Sequence, residues 1–172
     1  MSDIDTAALI LRIALGVTLI MHGWNHGFGP GGLAGTTRWF AGIGLRPAHV
    51  HAAVSSYMEL AAGAALLVGL LVPFAAAAGI GVMVVAFVTV HRPNGFFIFR
   101  EGYEYVSVLA FALTALVIIG PGMASLDHVF DIELDGTAVG LASAAAGILG
   151  AGAMLVTSWR PDSAHAEGDG ES

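Results

Sequence analysis

The chain has 172 residues, 56% of them hydrophobic and only 11% charged. A soluble domain carries about 25% charged residues and a polar outer face on each helix, so the composition excludes an ordinary water-soluble core and points to the bilayer. Much of the formal charge of −7 lies in "SLDHVFDIELDG" and "DSAHAEGDGES", implying no basic or acidic ligand, and zero cysteine excludes disulfides, thiolate metal sites and a cysteine nucleophile.

Asp3 and Asp5 precede the first apolar run with no Lys or Arg before it, the wrong flank for a cleaved secretory signal. A first helix is predicted over 5–23. In the loop that follows, Thr36-Thr37 is expected to cap a short helix carrying Trp39 and Phe40, suited to the headgroup layer. No Asp, Glu, Lys or Arg occurs between Glu59 and Arg92, a run too long for one span. Pro73 divides it, because proline cannot continue a helix but suits the first turn of the next. Helices are therefore predicted over 52–71 and 74–91. The polar and aromatic stretch "HRPNGFFIFREGYEY" leads to a fourth helix over 103–120, ended by Pro121-Gly122. A fifth, over 137–158, is rich in Gly and Ala. Each approaches the roughly 20 residues that cross a bilayer core. The expected fold is an all-α integral membrane helix bundle, one transmembrane domain over 1–158. The acidic residues 159–172 have nothing to bury and are expected to be a disordered tail.

Orientation follows from arginine, since there is no lysine. With five spans, Arg38, Arg46, Arg92, Arg100 and Arg160 fall on one face and none on the other; Arg12 lies within the first span. The positive-inside rule then places the N-terminus outside and the C-terminus in the cytoplasm, in the plasma membrane of the cell.

An ordered set of residues resembles the DoxX-like membrane proteins. Arg12, Leu15, Gly16, His22 and Gly23 match an opening R-x-x-L-G…H-G, and Glu59, Gly63, Gly69 and Pro73 match an E-x-x-x-G…G segment. "HRPNGFF", "EGYEY" and "GPGMASLD" resemble the family's later motifs, so the resemblance spans about 9–130. It implies a four-helix core, beyond which the fifth helix and the tail lie. It also implies association with membrane redox complexes related to thiosulfate:quinone oxidoreductase, without establishing catalysis. Relatives often carry Gln-Lys where this chain has Asn25-His26.

Glu59, Arg12 and Glu104 are the candidates for chemistry. At about two turns into antiparallel helices, Arg12 and Glu59 are expected at similar depth. Three readings stand: an ion pair fixing helix register, a polar cavity handling protons or a quinone head, or Arg12 snorkelling to the interface. A ligand pocket is expected from His22, Asn25, His91, Asn94, Tyr103 and Glu104, with Phe96 and Phe97 as an apolar lid. The rival reading makes the same stretch an interfacial aromatic belt. A weak H-x-x-N echo links His22/Asn25 with His91/Asn94.

With the first helix ending near 23, His26 falls in a loop and no H-x-x-x-H helical pair is expected. Only His22 and His91 remain to face each other, so neither haem nor metal is expected, and no covalent cofactor. Quinone is the ligand the pocket chemistry suggests. No basic patch supports nucleic-acid binding. The leading reading is a quinone-facing or redox-partner membrane subunit, any catalysis belonging to an oxidoreductase of which it is part. Its partners are then the bilayer and a redox subunit or a second copy. The alternatives are a scaffold, docking through Gly140, Ala144, Gly147 and Ala151, and a small-molecule transporter.

Overall fold

The first helix outruns its predicted span at both ends. In the computed structural model, which describes residues 1–161, α1 covers Asp3–Phe28. Its start is set by a reciprocal capping box: the Ser2 hydroxyl accepts from the Asp5 N–H (3.2 Å), and the Asp5 carboxylate accepts from the Ser2 N–H (2.6 Å). Gly23 and Gly27 do not end it. Both face α3 (Ala48–Val68), where Cβ atoms would collide with Ser56. They are contact residues, and small residues of this kind let membrane helices approach closely.

A short helix, α2 (Gly32–Gly42), connects α1 to α3. Thr36 and Thr37 lie inside it rather than capping it. Their hydroxyls donate to the His26 and Leu33 carbonyls, both at 2.7 Å. Trp39 and Phe40 ride on it as expected. After the Pro73 turn, α4 (Val72–Ala86) runs on through a π turn (Phe87–His91) and a 3-10 turn (Arg92–Asn94). Then follow α5 (Glu104–Ile119), the short α6 (Leu126–Val129) and α7 (Thr137–Ser158).

Among the described residues the fold is all-helical. Four helices, α1, α3, the extended α4 and α7, are long and apolar enough to span a bilayer. The apolar α5 has 16 residues, or about 24 Å of helix. The five predicted spans therefore all appear as helices. Leu15, Leu19, Leu66, Ile80, Leu113 and Leu116 form the core between α1, α3, α4 and α5. Ile10, Ile13, Phe74, Phe111, Leu149 and Val156 are exposed around the outside, the surface a protein shows to hydrocarbon.

α7 packs against α4 and α5 with the small-residue face that was a candidate for partner docking. A Cβ on Gly147 would lie 2.5 Å from the Ala77 carbonyl, Gly140 abuts Ile118, and Ala151 is buried. That face is consumed within the chain, which corrects the docking expectation.

Charge organises both ends of the bundle. At one end Arg12 is buried and forks onto four backbone carbonyls: Leu66 (2.9 Å), Leu67 (2.7 Å), Pro121 (3.0 Å) and Ala124 (2.7 Å). Beside it the buried Asp127 accepts from the N–H groups of Leu71 (2.7 Å) and Val72 (3.1 Å), capping α4. Gly69 turns between them with φ 67°, where a Cβ would strike the Arg12 guanidinium at 2.6 Å. The predicted Arg12–Glu59 pairing is thus overturned. Gly23 lies opposite Glu59, so Arg12 sits eleven residues farther along α1, about 16 Å away in depth.

At the other end Arg38, Arg46, Arg92, Arg100 and Arg160 are all exposed. Leu45 and Trp159 form an isolated antiparallel bridge, and the Trp159 indole donates to the Ile43 carbonyl at 2.9 Å. Residues 159–161 are therefore tied down, unlike the expected tail; residues 162–172 lie outside the described residues.

Candidate functional site

Extending α1 to Phe28 puts His22 and His26 one helical turn apart on the same face. The face they share meets α3 across Gly23. A Cβ there would come within 2.6 Å of the Ser56 carbonyl and 2.9 Å of the Glu59 Cβ. The close approach is sealed by the Ser56 hydroxyl donating to the Gly23 carbonyl at 2.8 Å. It brings the buried Glu59 beside both histidines: one ligating atom from each of His22, His26 and Glu59 lies within 4.8 Å of the other two. The Ser55 hydroxyl, one turn earlier on α3, donates to Glu59 Oε1 at 2.5 Å. The His26 ring lies against Trp39 and Phe40, at centroid distances of 5.7 and 6.0 Å, and its buried Nδ1 has no hydrogen-bond partner among the described residues.

These groups form the polar corner of a cavity of about 500 Å³. Its other walls are mostly apolar, with Ala78, Gly81 and Val82 of α4 and Gly147 and Gly150 of α7 among them, and His51 and Thr89 adding polar groups away from this corner. Tyr105 lies near His22, their rings 6.1 Å apart, and also lines the cavity. A space of this size with few, convergent polar groups suits one amphipathic small molecule.

Of the residues expected to build a pocket, His22 and Glu59 line this one. The others do not. Asn25 is exposed on α1. The His91 Nδ1 is 2.6 Å from the Glu101 carbonyl, and the Asn94 amide donates to the Val90 carbonyl at 3.2 Å. The Glu104 carboxylate accepts from the Ile98 N–H at 3.0 Å, holding the loop to the start of α5. Phe96 and Phe97 are exposed, and Tyr103 packs edge-on against Phe87 and Phe96. The stretch is a self-tied turn with its phenylalanines outward, as in the rival reading of an aromatic belt. The H-x-x-N echo splits accordingly: His22 faces the cavity, and His91 braces a loop. Arg12 serves the opposite end of the bundle.

Sequence reasoning missed His26, Ser55 and Tyr105. For His26 the signal was present: His22-Gly-Trp-Asn-His26 is an i, i+4 pair, hidden by ending the helix too early. Ser55 was marked only by standing four residues before Glu59, and Tyr105 only by closing the "EGYEY" motif, with nothing to point it at the cavity.

The fold and site together define an integral membrane helix bundle with an amphipathic cavity near its arginine-bearing end. The chain belongs to the DoxX family, whose model matches residues 7–92. The match runs from α1 through α4 and the π turn that follows it and includes Arg12, His22, His26 and Glu59, while α5 and α7 lie beyond it. No curated protein and no solved structure matches the chain.

Proposed function

We propose that this protein is a membrane subunit that binds a quinone-like ligand in its cavity, serving a redox complex of the plasma membrane. The observation that carries the reading is the cavity's division: largely apolar along α4 and α7, with His22, His26, Ser55, Glu59 and Tyr105 converging at one corner. A quinone needs hydrogen-bonding partners at its ring oxygens and apolar walls for the rest. The redox association comes from the family resemblance, and the cavity supplies a site that such an association would use.

Gly150 offers the test. It lines the cavity, and a Cβ built there meets nothing within 4 Å, so Gly150→Phe fills the space without displacing backbone. In lipid nanodiscs the wild type is expected to bind a short-chain ubiquinone at one per chain. Gly150→Phe should bind it at least tenfold more weakly with an unchanged melting temperature. A wild type that binds no quinone would remove this reading and leave the scaffold.

The N-terminus is placed outside and the arginine-bearing end in the cytoplasm, supported by the five exposed arginines at that end. Gly42, exposed and unencumbered, and Glu133, in the loop at the opposite end, make a reporter pair. A maleimide that cannot cross the membrane should label Glu133→Cys in intact cells, and Gly42→Cys only after permeabilisation. The reverse pattern inverts the topology.

A further inference from the structure

We propose that His22, His26 and Glu59 bind one divalent first-row transition metal ion, leaving coordination positions open toward the cavity. The three residues supply two imidazole nitrogens and one carboxylate oxygen. That donor set suits zinc or ferrous iron and disfavours magnesium and calcium, which take oxygen ligands. Bonds of about 2 Å require ligand atoms roughly 3–3.5 Å apart. The observed spread of 4.8 Å closes by small side-chain rotations, with no movement of helices already locked at Gly23.

Two unmet needs at this corner converge on the same answer. Glu59 is 2% exposed, and a buried carboxylate is costly to ionise without a counter-charge. The chain has no lysine, Arg12 is committed to four carbonyls at the other end, and the five remaining arginines are exposed. A cation held between Glu59 and the histidines supplies the missing charge. The second need is the buried His26 Nδ1, which has no partner among the described residues, so none of them ties that ring into a structural hydrogen bond. Around the three ligands stand the supports that ligands require: Ser55 holds the carboxylate, and Trp39 and Phe40 flank His26. The remaining positions open toward the apolar cavity, where a small molecule would meet the ion directly.

The proposal does not depend on quinone binding, and its test uses protein with no quinone added. The full chain, stripped with a chelator in mild detergent, is dialysed against Zn²⁺ in the presence of excess Mg²⁺ and its metal content measured. One zinc per chain is expected, with a raised melting temperature. The exposed-histidine variant His49→Gln/His128→Gln should retain the ion. His26→Gln and Glu59→Gln should each bind it more than about 100-fold more weakly, since even the loss of a supporting residue around a metal typically costs 10- to 100-fold. Should either variant fail to fold, Co²⁺ added to the wild type decides: absorption bands of an imidazole- and carboxylate-ligated ion support the site. A wild type that retains no zinc overturns the proposal, as does undiminished binding in a folded His26→Gln or Glu59→Gln.

Discussion

Replacing Arg12 by glutamine is expected to leave little folded protein in the membrane. The guanidinium satisfies four carbonyls drawn from two separate parts of the chain, the end of α3 and the turn before α6. Without it the part-buried Leu67, Pro121 and Ala124 carbonyls lose their side-chain donor and the tie between the two segments is cut, while the Leu66 carbonyl keeps the Gly69 N–H at 3.2 Å. An acceptor left unpaired costs about 1–3 kcal/mol where it is buried, so the combined loss is a large fraction of a total stability of about 5–15 kcal/mol. Arg12→Lys should rescue only in part, because an ammonium is a point charge and lacks the planar fork. The informative companion is Arg12→Gln/Glu59→Gln. A true ion pair is cheaper to replace whole than to halve. Arg12 and Glu59 share no contact, so the second change should give no rescue. Membrane levels by immunoblot and melting in detergent read the result. Near-normal accumulation of Arg12→Gln, or its rescue by the Glu59 change, would contradict this account.

Gly23→Val is expected to disrupt both stability and site. A Cβ at this position would sit 2.6 Å from the Ser56 carbonyl and 2.9 Å from the Leu60 nitrogen, backbone atoms that cannot rotate away. The two helices must separate, and the Ser56–Gly23 hydrogen bond stretches with them. Overpacking of this kind costs about 1–3 kcal/mol, and the same displacement draws His22 and His26 away from Glu59. Gly42→Val, on an exposed and unencumbered glycine, is the control. The expected pattern is a lowered melting temperature and lost zinc and quinone binding for Gly23→Val, with neither for Gly42→Val. A Gly23→Val protein that melts and binds like the wild type would show that the helices do not meet as closely as described.

The spans were legible because hydropathy is written locally. A run without charge from Glu59 to Arg92, broken at Pro73, admits few readings, and the helices fall close to where it puts them. The site was less legible. Glycines at 23 and 27 look like a helix end when read alone, and that reading cost the partner of His22. "HRPNGFFIFREGYEY" advertises polar and aromatic chemistry, yet its His91, Asn94 and Glu104 side chains are spent on nearby backbone. Composition cannot separate a group that binds a ligand from one that ties a loop.

From sequence alone came the solvent in which the protein folds, its five long apolar helices and the gathering of arginine at one end. Each is an additive property of short segments, set by transfer free energies that need no knowledge of neighbours. Only the tertiary structure decided which buried charge serves which end. The register of α1 on α3 depends on the contacts of Gly16 with Gly63 and of Gly23 with Ser56 and Glu59. Those positions lie more than thirty residues apart in the chain. A shift of one helical turn, about 5.4 Å, would move the histidines away from Glu59 while leaving every segment's hydropathy unchanged.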